Sequence, residues 1–150
     1  MKIKVAWIGK TKEPALETLT AEYLKRISRY ADIAGQALKD EDAILSLAGG
    51  VRQQKPNKDR HQLILLDSRG QQFSSEELAE FLQRQQLNAL PLLFAIGGSD
   101  GFSDEARRRA SLILSLGKMT LPHELARVVL LEQLYRGFTI LKNHPYHLGH

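Results

Sequence analysis

The sequence contains no cysteine. This absence excludes disulfide bonds, thiolate metal sites and a cysteine nucleophile, and it fits a reducing compartment such as the cytoplasm. No apolar run approaches the roughly 20 residues that a membrane helix needs. The opening stretch, residues 1–9, carries charge and has no small-residue cleavage site, so it does not resemble a signal peptide. We therefore expect a cytoplasmic protein with no membrane partner.

The size and charge of the chain bound the remaining possibilities. A chain of 150 residues and 16.9 kDa is long enough for one ordinary domain, and we expect residues 1–150 to form a single unit. The formal net charge of +4 and the pI near 9.4 favour polyanionic partners. Charge alone does not distinguish nucleic acid from other partners of this kind.

Short apolar segments alternate with helical patterns along the chain. Segments of this type are typical of strands that are buried between helices. We predict strands over 3–8, 63–67 and 92–96, and a weaker one over 111–116. The alternation predicts an α/β fold with a largely parallel sheet, whose ligands bind outside the carboxyl ends of the strands.

Several helix signals are strong. Apolar residues at three- and four-residue steps predict a helix from Leu16 to Tyr30, and the sequence SSEE at 74–77 predicts a capping box that opens a helix toward Asn88. The polar segment 49–60 reads as a helix end followed by an exposed loop. The last helix, 124–142, is apolar on nearly every side. It therefore either packs in a symmetric dimer, which we favour, or lies deep within the monomer.

Two glycine-bearing loops follow predicted strands. The first reads IGGSDG at 96–101, and Ser103 is a plausible N-cap of the next short helix. The second reads LGKMTLPHE at 116–124, where Thr120 could cap the last helix and Pro122 fits its first turn. Neither loop matches a dinucleotide or P-loop motif, and each alone could be a simple turn. Their position at one sheet edge favours a pocket.

Charged residues offer weaker candidates. The run Arg107 to Arg109 could bind phosphate, but charge runs on short helices usually form a solvent-exposed face, and we favour that interpretation. Arg127 and Arg136 lie in the apolar last helix and need an acid such as Glu132 or an anionic ligand. The histidines lack metal-ligand spacing, so we predict no metal site. No hydrolase motif accompanies Ser99.

The chain ends in NHPYHLGH, which concentrates three of its five histidines in eight residues. A terminal segment is usually frayed. The presence of a proline, an aromatic ring and imidazoles leaves two alternatives: a loose tail, or a docked one that supplies imidazole and phenol groups to a site.

Taken together, these segments closely resemble the ribosomal RNA large-subunit methyltransferase H family, a small group of the SPOUT class. The resemblance runs nearly end to end and rests on MKIKVAWIGKTKE, AEYLKRISRY, LLDSRGQQFSSEELA, FAIGGSDGFSDEARRRA, LSLGKMTLPHELARVVLLEQLYRGFTI and the terminal PYH. The resemblance implies an α/β fold with a C-terminal trefoil knot, which is rare among proteins. It also implies a homodimer.

The resemblance implies that S-adenosylmethionine is the cofactor and that it binds in the knot. The end of the strand predicted over 63–67, where a third loop begins, would contribute Leu66 and Asp67. The other two loops would contribute Ile96, Gly97, Gly98, Gly101, Leu116, Gly117, Lys118, Met119, Thr120 and Leu121.

The implied reaction is methylation of N3 of a pseudouridine in helix 69 of 23S rRNA, on the assembled ribosome. Candidate catalytic residues are His147 and Tyr146 in the tail, with Arg127 as a possible source of positive charge. The family usually has Arg or Lys after the Tyr-His pair, whereas this chain has Leu148. This departure keeps two alternatives open: a related knotted methyltransferase with another RNA target, and a ribosome-binding factor without catalytic activity.

Overall fold

The computed structural model describes residues 1–49, 60–88 and 90–148. Five parallel strands form one sheet in the order β2-β1-β4-β3-β5. The strands are β1 (Lys2–Ile8), β2 (Asp32–Leu38), β3 (Gln62–Gln72), β4 (Leu92–Ile96) and β5 (Leu112–Ser115). The helices are α1 (Pro14–Ile27), α2 (Glu41–Leu47), α3 (Ser75–Gln85), α4 (Asp104–Arg109) and α5 (His123–Leu141), and a 3-10 turn follows at Pro145–Leu148. The α/β fold with a parallel sheet is confirmed.

Helices cover both faces of the sheet. One core contains residues of α1, α3 and α5, packed on the face that carries Val5 and Phe94. A smaller core contains residues of α2 and α4, packed on the opposite face with Ala6 and Ala95. Alternate residues of β1 and β4 therefore belong to different cores, as the two-residue period of a strand requires. Burial on both faces explains why β4 is apolar throughout.

The sequence failed to predict β2. This strand lies at one edge of the sheet, where most of its residues are exposed, and it contains Gly35. It therefore has neither the apolar run of a central strand nor an alternating pattern. A Cβ on Gly35 would lie 2.9 Å from the Trp7 ring, so the glycine leaves room for tryptophan on the neighbouring strand. The predicted extent of β3 was also too short, because the strand continues past Asp67 to Gln72.

Helix starts follow the sequence signals closely. Ser74 caps α3 and Glu77 reaches back to the Ser74 N–H, which completes the predicted capping box. Ser103 caps α4 by accepting from the Ala106 N–H at 3.2 Å. Thr120, however, does not cap α5: the N-cap position is Pro122, and it makes no side-chain capping bond. Most of the predicted loop after Gly49 lies outside the described residues.

Helix α5 is buried along most of its length within the chain itself, which is the alternative that we favoured less than packing in a dimer. It packs against α1 and α3 within the same chain, and residues from Arg127 to Thr139 include nine that are buried. Neighbouring helices therefore provide much of the cover that the apolar surface needs. Across the described part of the chain, no helix is both long enough and apolar enough to cross a bilayer.

Candidate functional site

A cavity of about 500 Å³ opens at the carboxyl edge of the sheet. Three connections surround it: the bulged part of β3, the β4–α4 loop and the β5–α5 loop. The cavity is lined by Leu66, Asp67, Ser68, Arg69, Ile96, Gly97, Gly98, Ser99, Asp100, Gly101, Leu116, Gly117, Met119, Thr120, Leu121, Pro122, His123 and Ala126. Its volume and position are those of small-molecule sites in parallel α/β folds.

The first wall comes from a break in the register of β3. Leu66 and Gln71 both pair with Leu114 of β5, so the residues between them leave the ladder. A bulge of this kind re-aims side chains at a functional site. Gly70 makes the close approach possible, because a Cβ there would collide with the carbonyl oxygen of Ile113. The bulge thereby carries Asp67 to the cavity.

Asp67 is held by two arginines. Its Oδ1 accepts from the Arg69 backbone N–H at 2.8 Å, and its Oδ2 pairs with the guanidinium of Arg107. Burial alone would raise the pKa of Asp67, but the hydrogen bonds from Arg69 and the charge of Arg107 together lower it. Asp67 is therefore an anion at neutral pH. The expectation that Arg107 belongs to a solvated face was wrong, because it forms an ion pair with Asp67. Nothing in the sequence indicated this pair, since the two residues lie 40 positions apart.

Side chains outside the cavity fix the other two walls. The Glu41 carboxylate of α2 accepts from the N–H and the hydroxyl of Ser103, at 2.7 and 2.6 Å, which ties the β4–α4 loop to a neighbouring helix. The Ser115 hydroxyl accepts from the Gly117 N–H at 3.0 Å and lies 3.1 Å from the Ser68 carbonyl oxygen. The first and third walls are thus joined to each other.

The first turns of α5 connect the cavity with the β1–α1 loop. His123 and Ala126 line the cavity, whereas the Arg127 side chain packs over the Trp7 ring, 4.1 Å from its centroid. Arg127 donates to the Thr11 hydroxyl at 2.8 Å. The Glu124 carboxylate accepts from the N–H of Lys12 at 2.7 Å.

Arg127 is a buried cation with incomplete pairing. Only 1% of its side-chain surface is exposed, and within residues 1–49, 60–88 and 90–148 its Nε and one terminal nitrogen have no hydrogen-bond partner. The Glu124 carboxylate is 3.9 Å away. Burial lowers the pKa of Arg127, although the charges of Glu124 and Glu17 oppose this effect. The catalytic role predicted for Arg127 stays a prediction, and its contacts fit a positioning role.

The described part of the tail, residues 143–148, is docked against α5 through Tyr146. The Tyr146 ring meets the Tyr135 ring edge-on at 4.6 Å, and its hydroxyl donates to Glu132 at 3.1 Å. Glu132 also accepts from the Nε of Arg136 at 3.0 Å, as the sequence predicted for this pair. Burial, the hydrogen bond with Tyr23 and the negative charge of Glu132 raise the pKa of Tyr146.

His147 and Leu148 follow in the same 3-10 turn. The imidazole of His147 is half-buried, and its Nδ1 is enclosed without a hydrogen-bond partner in the described part of the chain. Leu148 is 65% exposed. Neither Tyr146 nor His147 lines the cavity of its own chain.

The cavity gathers all the residues predicted to bind the cofactor except Lys118. Seven other lining residues were not predicted to bind the cofactor, although four of them lie in the two glycine-bearing loops that were expected to form a pocket. The seven are Ser68, Arg69, Ser99, Asp100, Pro122, His123 and Ala126. Among the described residues, no cluster of three histidines or acids is arranged to hold a metal ion.

Comparison with known proteins identifies the family. The family described as "Predicted SPOUT methyltransferase" matches residues 1–147. A protein of Koribacter versatilis named ribosomal RNA large subunit methyltransferase H is 55% identical, and the alignment covers 100% of both chains.

Solved structures support the same fold at low identity. A probable methyltransferase from Bordetella pertussis has a TM-score of 0.59 at 10% identity, with 91% of this chain and 94% of that chain covered. A SpoU methyltransferase from Streptomyces viridochromogenes, in complex with AdoMet, has a TM-score of 0.51 at 12% identity, with 90% of this chain and 57% of that chain covered. From its full-length match, the chain belongs to the ribosomal RNA large subunit methyltransferase H family of SPOUT methyltransferases.

Proposed function

We propose that the protein transfers a methyl group from S-adenosylmethionine to N3 of a pseudouridine in helix 69 of 23S rRNA, on the assembled ribosome. The full-length family match carries the proposal, because the relative's name specifies large-subunit ribosomal RNA as its substrate. The pseudouridine, its position and the ribosomal state of the RNA rest on the resemblance of the sequence motifs. The basic balance of the chain suits an RNA partner.

The cavity fits the proposed cofactor in size and chemistry. Leu66, Ile96 and Leu116 offer apolar surface for an adenine ring, and the Asp67 carboxylate offers acceptors for ribose hydroxyls or compensation for a sulfonium charge. A Cβ on Gly97 would lie 3.2 Å from the Phe102 ring, so a larger residue there would crowd the ring that supports this loop. When bound, the cofactor supplies a methyl group that its sulfonium already activates.

The protein must align the nucleophile and accept its proton. The N3–H of the base is a weak acid, so a nearby proton acceptor assists the reaction. The raised pKa of Tyr146 keeps its phenol protonated, and its hydrogen is donated to Glu132. Tyr146 is thus a donor that orients the tail. His147 is the tail residue that we assign as proton acceptor.

A second copy of the chain would bring the tail residues Tyr146 and His147 to a cavity that they do not reach in their own chain. Tyr146 packs at Tyr135, nine residues beyond Ala126 of the cavity, which corresponds to about 13 Å along the helix axis. That distance exceeds hydrogen-bond reach. Apolar side chains near the cavity mouth are exposed, with Met119 at 86% and Leu121 at 39%. We therefore propose a homodimer in which the tail of one subunit completes the cavity of the other.

Two measurements test the proposed reaction. Calorimetric titration with S-adenosylhomocysteine should give saturable binding with one site per chain. Ribosomes from a strain that lacks this enzyme should accept label from S-adenosylmethionine, and mass mapping should locate one new methyl group in helix 69. Absence of cofactor binding would exclude the reaction. A methyl group at another RNA position would instead support the alternative of a related methyltransferase.

Leu148 keeps one further alternative relevant. An exposed leucine stands where the family usually carries a cation, so the tail has one positive charge fewer for a phosphate or a developing anion. A ribosome-binding factor that has lost catalysis would bind the cofactor and ribosomes without transferring label. Restored transfer in Leu148→Arg would identify the missing charge as the cause.

A further inference from the structure

The β1–α1 loop, Gly9 to Glu13, lies beside the cavity but contributes no lining residue. Trp7 at the end of β1 pairs with Ile96 at the end of β4, where the cavity begins. The Ile8 side chain reaches to 3.9 Å from the position that a Cβ on Gly98 would occupy. The loop therefore starts next to the second cavity wall, although the cofactor proposed above does not require it.

Helix α5 holds this loop with two charged side chains. The Glu124 carboxylate accepts from the Lys12 N–H at 2.7 Å and from the Glu13 N–H at 3.3 Å. Arg127 donates to the Thr11 hydroxyl at 2.8 Å. Both groups lie beside His123 and Ala126, which line the cavity. The position of the loop is thus coupled to the third wall.

If Arg127 served stability alone, we would expect its guanidinium to have more hydrogen-bond partners among the described residues than it has. Burying a cation with unpaired N–H groups is unfavourable, and an apolar side chain of similar volume is often at least as stable there. A buried charged side chain that lacks full hydrogen bonding is expected mainly at functional sites, where it can position a segment of the chain. The segment positioned here exposes Lys10 and Lys12, and within the described part of the chain neither ammonium group pairs with a carboxylate.

Two other cations share this sheet edge. Arg69 follows the inner part of β3 and is 75% exposed, and Lys118 follows β5 and is also exposed. From β1 to β5 the sheet order spans three strand spacings, or roughly 15 Å. Asp100 and Glu13 are the exposed acids in these connections, and Asp67 is already paired. Positive charge therefore predominates around the cavity mouth.

We propose that Lys10 and Lys12 contact phosphate groups of the RNA substrate, and that Glu124 and Arg127 hold their loop beside the methyl-transfer cavity. The assignment rests on the proposed function and specifies how its substrate is held. Lysine contacts to phosphate contribute affinity and position without reading sequence. Arg127 acts in this arrangement as a positioning residue.

The test compares Lys10→Gln/Lys12→Gln with Lys2→Gln/Lys25→Gln, which removes two exposed lysines from elsewhere on the protein and so matches the change in net charge. Binding to purified ribosomes that lack the methyl group is measured over a salt series. We expect the loop variant to bind roughly tenfold or more weakly at 0.1 M salt, with a log-log salt slope flattened by about two. Its affinity for S-adenosylhomocysteine should equal that of the parent.

Thr11→Val tests the positioning role, because it removes the acceptor of Arg127 without changing charge. We expect a KM for ribosomes raised severalfold with kcat and S-adenosylhomocysteine affinity retained. Equal ribosome affinity and salt slope in the loop and control variants would overturn the assignment.

The loop assignment and the reaction can fail separately. If the parent methylates ribosomes while both double variants bind equally, the loop assignment fails and the reaction stands. If the parent binds ribosomes without methylating them and only the loop variant loses binding, the reaction fails and the loop assignment stands.

Discussion

The two arginines of α5 have opposite environments. Arg127 near the cavity is 1% exposed and has a pKa lowered by burial, and two of its nitrogens have no hydrogen-bond partner among the residues that the structure describes. Arg136, about two and a half turns further along, is 22% exposed and pairs with Glu132, whose hydrogen bond raises its pKa. One helix thus carries an under-satisfied cation at its cavity end and a well-satisfied cation at its tail end.

The difference separates two tasks of the helix. At the tail end, Glu132 joins Arg136 and Tyr146 into a connected network, which favours a single docked position for the tail. At the cavity end, Arg127 holds a surface loop at a cost in desolvation. The network at the tail end therefore stabilises the docked tail, whereas burial of Arg127 at the cavity end lowers stability and positions a loop.

The largest expected effect concerns the residue that the tail-end network orients. His147→Ala should lower turnover by about 10²- to 10⁴-fold, because it removes the proton acceptor that we assign to the reaction. Affinity for S-adenosylhomocysteine should change far less than turnover, since we assign His147 to the target base and not to the adenosine of the cofactor. Single-turnover transfer to ribosomes and calorimetric titration provide the two readouts.

Leu148→Ala is the matched control for this variant, because Leu148 lies in the same turn and is largely exposed. It should retain most of the activity. Equal turnover in His147→Ala and Leu148→Ala would contradict the assigned role.

The two arginines can be compared directly by replacing each with methionine. Arg136→Met should lower the free energy of unfolding by about 1–2 kcal/mol, because Glu132 loses charged hydrogen bonds while it remains largely buried. Arg127→Met should change stability by less than about 1 kcal/mol or increase it, because it removes a poorly paired buried cation while Glu124 keeps the Lys12 and Glu13 N–H groups as donors. Urea unfolding at one protein concentration measures both values.

The comparison of the arginines fails if the order is reversed. A larger loss of stability in Arg127→Met would mean that its contacts with Trp7 and Thr11 outweigh its desolvation. Arg127 would then be chiefly a structural residue, and the cavity end of α5 would be no less stable for holding the loop.

Local signals predicted local structure well. The capping box at Ser74, the cap at Ser103 and the pairing of Glu132 with Arg136 each depend on residues within four positions, and all are confirmed. The central strands were found because burial on both faces makes them apolar. The edge strand β2 was not found, because tertiary pairing with β1 creates it without an apolar pattern.

The interactions that shape the site are long-range, which explains why only part of it was predicted. The partner of Arg107 is Asp67 on another element, and the partner of Arg127 is Thr11, 116 positions away. Sequence spacing contains no direct sign of either contact. The positions of the three loops were predictable because strands of a parallel sheet end at one edge. The register break that re-aims Asp67 became visible only in the structure.

The smallest expected effect tests the tail-end network through pH. The raised pKa of Tyr146 means that its phenol loses its proton more readily in the unfolded chain than in the folded one. Its contribution to stability is therefore complete below the ordinary tyrosine pKa of about 10 and declines as pH rises above that value. Burial is the largest cause, followed by the hydrogen bond with Tyr23 and the charge of Glu132.

Glu132→Gln should consequently reduce this alkaline decline in part, and Tyr146→Phe should remove it entirely. Urea midpoints measured in steps from pH 8 to pH 11 give the slope for each protein. The slopes, rather than the absolute stabilities, are compared, because the glutamine variant also loses the ion pair with Arg136. Identical slopes in the parent and Tyr146→Phe would indicate that Tyr146 ionises as freely in the folded protein as in the unfolded chain. The hydrogen bond to Glu132 would then not keep the phenol of Tyr146 protonated. The tail end of α5 would in that case not be stabilised electrostatically, and this difference from the cavity end would disappear.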